Sequence, residues 1–307
     1  MTRLAVFAYS DTGHACLQHL LERGERVVFL ATHRDHPDEA RWFPSVAELA
    51  KSHGIEPFIM ENPLDAQAIV RLRVARPDLL FSFYYRRILP DEMLGEPPLG
   101  AFNMHGSLLP RFRGRAPVNW AVAKGETKTG ATLHRMRSRA DTGEIVDQEE
   151  VPIGPDDTAI EVQKRVTAAA VRVLARRLEE LKAGTAPERP QDESKATRFG
   201  RRRPEDGRID WSRPAREIHN LVRAVAPPFP GAFATFGDQR WMVTRTQVLG
   251  PGARIFAPLT LHAEGELCVV TCIDANRLAL LEAADARGAI DLTALQARLD
   301  QSPLAVS

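Results

Sequence analysis

The stretch "GAFNMHGSLLPRFRGRAP", residues 100–117, decides how the chain is read. Its first seven residues form an apolar run interrupted by Asn103 and His105. Side chains on a strand alternate, so residues 103 and 105 point the same way. A strand over 100–106 therefore carries an amide and an imidazole on one face. It runs at once into a turn and three arginines. Upstream, "DLLFSFYY" (78–85) predicts another short apolar strand, followed by a short turn at Pro90.

Further toward the N-terminus the same kind of strand recurs, now with helices between. "RLAVFAY" (3–9) leads to a helix at about 13–23, "RVVFLATH" (26–33) to one at about 43–53, and "EPFIM" (56–60) to one at about 64–74. Alternation of short apolar strands with helices predicts an α/β fold. The expected architecture is a Rossmann-like, mainly parallel sheet with helices on both faces. Ligands of such sheets bind beyond the carboxyl ends of the strands, and His105 stands at one of those ends.

The clearest helix is predicted over 158–183. Thr158 and Glu161 make a capping-box pattern. Ile160, Val166, Ala170, Val173, Leu174, Leu178 and Leu181 recur at helical spacing, and Gly184 fits the stop. From 185 to 208 the chain turns polar and loses periodicity, as an interdomain linker does. "PAREIHNLVRAVAPPFPGAFA" then predicts a helix stopped by Pro227 and Pro228. Short alternating strands follow, with a last helix at about 291–300. The expected domains are a catalytic unit over 1–186, a linker over 187–208, and a smaller β-rich unit over 209–307.

Composition narrows the function. The 307 residues are 44% hydrophobic and 26% charged with net charge +1, so no global field steers the chain to nucleic acid or an anionic membrane. No apolar run approaches the roughly 20 residues that span a bilayer. The N-terminus reads as a first strand, not a signal peptide. Three cysteines, an odd and sparse count, suit the cytoplasm. Cys268 and Cys272 share a strand face but have no further ligands nearby, so they read as small buried hydrophobes. Gly13 stands alone where a dinucleotide fingerprint needs three glycines.

Asn103 and His105 can stabilise a developing oxyanion and move a proton. A strand-end histidine bonded to backbone is the plainer alternative. Asp141, in "HRMRSRADTGEIV" (134–146), is either a turn residue or the carboxylate that orients a histidine. Spacing alone does not join it to His105. Arg111, Arg113 and Arg115 suit forked recognition of phosphate or carboxylate, or else a solvated loop. Arg198, Arg201, Arg202 and Arg203 raise the same question.

"FNMHGSLLPRFRGRAPVNWAV" followed by "ADTGEIV" resembles the folate-dependent formyltransferase family. Its Asn-x-His, Ser-Leu-Leu-Pro and downstream Asp-x-Gly form a specific combination. "VFAYSDTG", "FSFYYRRIL", "TLHRM" and "FGRRRPED" look most like the branch that formylates UDP-4-amino-4-deoxy-L-arabinose in lipid A modification and polymyxin resistance. The likeness covers roughly residues 1–240. That branch continues into a decarboxylating dehydrogenase, an activity not expected within these 307 residues.

The resemblance implies 10-formyltetrahydrofolate as co-substrate and no metal. It implies that His105 is the acid–base, Asn103 the oxyanion stabiliser, and Asp141 the partner of His105. It further implies folate contacts from Arg115 and from Arg137, Ser138, Arg139, Ala140 and Asp141. Arg87, Ile88 and Leu89 would line the pterin pocket, partly through backbone. Arg201 and Arg202 would lie near the nucleotide of the sugar.

The expected partners are thus a nucleotide sugar and folate, without nucleic acid or membrane; a homo-oligomer is left open. A tRNA substrate is disfavoured, because residues 204–307 hold ten arginines, no lysine and twelve carboxylates, a net −2. Another nucleotide-linked amino sugar, or a regulator that binds folate without turnover, are the remaining alternatives.

Overall fold

The structure, a computed structural model, describes residues 1–35, 41–60, 62, 66–251, 259–299 and 302–306. In chain order the elements begin β1 (Arg3–Ala8), α1 (Ser10–Glu22), β2 (Arg26–Thr32), α2 (Val46–Ser52), β3 (Phe58–Ile59), α3 (Ala66–Ala75), β4 (Leu79–Phe83), α4 (Asp91–Leu94) and β5 (Ala101–His105). They continue with β6 (Arg113–Gly114), α5 (Pro117–Ala123), β7 (Lys128–Arg135), β8 (Ile145–Pro152), α6 (Ala159–Ala183) and β9 (Arg198–Phe199). Contacts divide the chain into two compact units. The first comprises Met1–Pro117, Lys128–Pro152 and Gln163–Gly200; the second comprises Val118–Thr127, Ile153–Val162 and Arg201–Ser307.

The first unit is built on a seven-stranded sheet in the order β3-β2-β1-β4-β5-β7-β8. Strands β1 to β5 pair in parallel, and β5, β7 and β8 pair antiparallel. The mainly parallel Rossmann-like sheet expected from the strand–helix alternation is therefore present. The antiparallel extension adds to that expectation. β8 runs "IVDQEEVP" along the sheet edge, and its charged residues hide it from a search for apolar runs.

Strand β1 is buried on both faces, as a central parallel strand must be. One side packs Phe7, Phe29, Met60, Leu72, Leu80, Tyr85, Leu89 and Met93 into a core cluster. Burying a side chain of this size stabilises by about 1.5–3 kcal/mol. Helix α6 buries Val166, Ala170, Val173, Leu174, Leu178 and Leu181. These are positions predicted from its helical spacing. At its start the Glu161 carboxylate accepts from the Thr158 amide at 2.8 Å, the reciprocal half of a capping box. Gly13 has a packing reason: a Cβ there would lie 2.9 Å from the Phe83 carbonyl, so α1 approaches β4 only without a side chain.

The second unit adds α7 (Ala215–Val225), β10 (Ala232–Phe236), β11 (Gln239–Pro251), β12 (Thr260–Glu264), β13 (Leu267–Thr271), β14 (Asn276–Asp285), β15 (Gly288–Ala289), α8 (Leu292–Leu299) and β16 (Leu304–Ala305). Its antiparallel sheet runs β10-β11-β14-β13-β12-β16, with β15 on β14. Trp241 stacks on Phe236 at 4.4 Å. Residue 300, the expected end of the last helix, lies outside the described residues, as do 64 and 65 at the expected start of the third. Among the described residues no helix is long and apolar enough to cross a membrane.

Candidate active site

β5 carries Asn103 and His105 to the carboxyl end of the parallel strands. Its antiparallel register with β7 sets Asn103 directly opposite His134, and His105 opposite Thr132. Facing cross-strand residues are close enough for their side chains to meet. Asn103 Nδ2 lies 3.1 Å from His134 Nε2. The other nitrogen, Nδ1, lies 2.8 Å from the Arg135 carbonyl and must donate to it. Nε2 of the neutral ring is then an acceptor, and the Asn103 amide must turn its NH2 toward it. Burial pushes His134 down to about 4, with His105 and Arg113 acting in the same direction. Asp141 and the Arg135 carbonyl oppose them without prevailing, so the ring is neutral near pH 7.

His105 Nε2 donates to the Phe112 carbonyl at 2.8 Å, and Nδ1 lies 3.5 Å from Asp141 Oδ1. Each ring nitrogen thus faces an oxygen. The loop that returns Phe112 to His105 is pinned along its length. Ser107 Oγ donates to the Arg111 carbonyl, Thr132 Oγ1 to the Ser107 carbonyl, and the Phe112 amide to Thr197 Oγ1.

Asp141 is brought beside His105 by a tight turn. Its backbone adopts φ +62°, and the Gly114 amide donates to its Oδ2 at 2.8 Å. Oδ1 also lies 3.7 Å from His134 Nε2. Burial raises the Asp141 pKa, but His105, His134, the Gly114 amide and Arg198 outweigh it and hold the carboxyl below its usual range. Gly143 is required in this turn, because a Cβ would lie 1.9 Å from the Arg135 carbonyl.

Asn103, His105 and Asp141 therefore converge, with His134 as a fourth member that the motif reading missed. The signal was present in "TLHRM", but β7 was not recognised as a strand, so its register with β5 was hidden. The arrangement pairs an amide donor with an imidazole and a carboxylate. That set can stabilise charge on a carbonyl oxygen and transfer a proton beside it.

The residues expected around the folate and the nucleotide fall into three groups. Arg115 Nη2 donates to the Arg86 carbonyl at 2.7 Å, which ties Arg115 to the loop of Arg87, Ile88 and Leu89. Ile88 is 63% exposed, whereas Leu89 is in the core, so Leu89 offers a ligand only its backbone. The Arg86 amide in turn donates to His33 Nε2, and His33 stacks on Tyr85 at 4.1 Å. Burial, with Arg86, Arg87 and Arg115 nearby, pushes His33 down to about 4.

Among Arg137–Ala140, Arg137 pairs with Glu144, Arg139 gives its carbonyl to Thr142, and Ala140 gives its carbonyl to Arg198; Ser138 is exposed. Arg201 and Arg202 belong to the second unit, where Arg201 is exposed and Arg202 lies over the Trp120 ring at 4.6 Å.

One reading from the arginine run is corrected. Arg113 does not present its guanidinium to an anion: the side chain is 3% exposed and engages Glu193 at 2.5 and 2.8 Å and Gln191 at 2.7 Å. A buried guanidinium without such partners would carry a large desolvation cost.

Residues 2–178 match the formyl transferase family, and residues 202–290 match the formyl transferase C-terminal domain. Among solved structures, WlaRD, a sugar 3N-formyl transferase crystallised in the presence of dTDP and 5-N-formyl-THF, has TM-score 0.70 and 16% identity, over 95% of this chain and 98% of that one. An N-formyltransferase from Helicobacter canadensis, in complex with folinic acid and dTDP-3-aminofucose, has TM-score 0.69 and 19% identity, over 91% and 99%. HypX from Aquifex aeolicus in complex with tetrahydrofolic acid has TM-score 0.60 and 19% identity; the match covers 93% of this chain but 44% of HypX. At these identities the likeness is one of fold.

Proposed function

The chain belongs to the formyl transferase family, and on that premise we propose that it moves the formyl group of 10-formyltetrahydrofolate to the amine of a nucleotide-linked amino sugar, UDP-4-amino-4-deoxy-L-arabinose. The observation that carries this reading is the convergence of Asn103, His105 and Asp141 at the end of β5. The branch motifs quoted from the sequence support the arabinose sugar.

In this reading the unprotonated sugar amine attacks the formyl carbon, and the bond from that carbon to the folate nitrogen breaks. Charge gathers on the formyl oxygen in between. Asn103 commits one amide hydrogen to His134 and has the second for that oxygen. Removing one such donor typically costs about 3 kcal/mol of barrier. His105 gives a proton to the departing folate nitrogen, and the proton lost by the amine restores the ring. Asp141 compensates the charge on the ring. Arg115 and the backbone of Arg87–Leu89 hold the folate, with Arg137–Ala140 beside them, and Arg201 and Arg202 engage the nucleotide.

A second reading keeps the chemistry and exchanges the sugar for a dTDP-linked one. The dTDP ligands of WlaRD and of the Helicobacter canadensis protein favour it. The two are separated by incubating the protein with 10-formyltetrahydrofolate and each sugar nucleotide, and reading the products by mass spectrometry. A formylated UDP-arabinose derivative supports the first. Turnover of dTDP-amino sugars alone selects the second, and no product with any amino sugar overturns both.

A further inference from the structure

Asp141 is held in place by a side chain from a segment that reads as a linker. Gln191 Nε2 donates to the carbonyl of Asp141 at 2.9 Å and to that of Gly143 at 2.7 Å. Its Oε1 accepts from Arg113 Nε at 3.2 Å and from Nη2 at 2.7 Å. A primary amide has two donor hydrogens and two acceptor lone pairs, and here all four are engaged. The orientation is unambiguous, since a guanidinium only donates and a carbonyl only accepts.

The Asp141 turn needs such a hold. Asp141 has a left-handed φ of +62°, a conformation that persists only where its surroundings over-determine it. The structure supplies three supports. Gln191 takes the carbonyls on either side of Thr142, Arg198 takes the Ala140 carbonyl, and the Gly114 amide takes Oδ2 of the carboxylate. Two of the three come through neighbours in sequence: Arg113 anchors Gln191, and Gly114 anchors the carboxylate. Arg113 is itself fixed by Glu193, two residues beyond Gln191. Backbone and carboxylate of Asp141 are thus referred to one strand, β6.

We propose that Gln191 is a positioning residue, which sets the distance between the Asp141 carboxylate and His105 by tying the Asp141 turn to Arg113. The inference rests on the reaction proposed above. It names a residue that acts through Asp141 and touches no reacting atom.

The identity of the side chain matters. Glutamate retains the length and accepts from Arg113, but sets a carboxylate against two carbonyls. Asparagine is one methylene short. Gln191→Ala and Gln191→Glu should therefore have the same consequence for Asp141, while only the second keeps an acceptor for Arg113 at position 191 and the site filled.

The test uses the full chain with nitrogen-15-labelled histidine, the ring resonances of His105 being assigned by their loss in His105→Ala. In Gln191→Ala the Nδ1 resonance should move toward its position in Asp141→Asn, and Gln191→Glu should do the same. Added to Asp141→Asn, Gln191→Ala should move it no further. Thermal melting establishes that each variant is folded; where the alanine variant is not, the glutamate variant decides. In turnover, kcat should fall by about 10- to 100-fold while the folate KM stays within about threefold. A wild-type Nδ1 resonance in a folded Gln191 variant overturns the proposal, as does a rise in KM at unchanged kcat. If the wild-type chain transfers no formyl group, the reaction fails, and the resonance still decides whether Gln191 sets the Asp141–His105 contact.

Discussion

Asn103 and His134 are cross-strand partners whose side chains meet at 3.1 Å, with the imidazole as acceptor and the amide as donor. The bond turns the amide NH2 to the side of the sheet that holds His105 and Asp141. The Asn103 amide is thus aimed by its neighbour on β7.

The first prediction follows from that direction of donation. Asn103→Ala should lower kcat by about 100- to 1,000-fold with little change in folate affinity. Asn103→Asp, nearly isosteric, should be no better, because a carboxylate cannot donate and would face His134 Nε2 and Asp141. Steady-state kinetics together with calorimetric folate binding checks both. An active aspartate variant would remove Asn103 from the role of donor.

Acid should weaken the fold through His134. Its folded pKa, about 4, is below the ordinary imidazole value of about 6.5. Between those values the unfolded chain binds the additional proton, so stability falls as pH drops through that window. The loss from pH 6.5 to 5 is about 1.5 kcal/mol for a fully buried group. His33, also near 4, acts with the same sign. Asp141, whose folded pKa is depressed, contributes stability above its unfolded value, and that is lost only at still lower pH. Thermal melts from pH 7 to pH 5 should show a falling Tm, and His134→Gln should flatten the fall. A pH-dependence identical to wild type in that variant would refute the assignment.

Much of this site was legible in residues 100–117, and the reasons for the remainder are physical. Period two sufficed to place Asn103 and His105 on one face. Asp141 stood out as a turn residue or a histidine's carboxylate, but only the family likeness joined it to His105, since no local pattern connects it to a residue 36 positions earlier. His134 stood in plain view, but its meaning depends on a strand register that apolar periodicity does not reveal in "KTGATLHR". The 187–208 segment looked like a linker because it lacks periodicity. Its order comes from partners about 80 positions earlier, Arg113 with Gln191 and Glu193, and Phe112 with Thr197. Arg113 was misread for the same reason: a charge run says nothing about which of its members is buried.

Arg115 is predicted to hold the folate. It is exposed and reaches the Arg86 carbonyl, so a substitution leaves the core intact. Arg115→Ala should weaken folate binding by roughly tenfold or more, the weight of a charge-assisted hydrogen bond. Isothermal calorimetry measures it, and unchanged affinity counts against the assignment.

The core offers an independent check of the fold. Leu80 on β4 is completely buried in the cluster with Phe7 and Leu89. Leu80→Ala should destabilise by about 2–5 kcal/mol in urea unfolding, through lost burial and the cavity left behind. A cost within the scatter of surface substitutions, about 0.5 kcal/mol, would place β4 elsewhere.

The most direct measurement is the single-turnover rate of formyl transfer from 10-formyltetrahydrofolate to the amino-sugar nucleotide, in wild type and in His105→Ala, with both proteins saturated in folate. The expected result is a formylated sugar from the wild type and a rate lower by at least about 100-fold in the variant, at retained folate binding. A folded His105→Ala protein that transfers at the wild-type rate would contradict it.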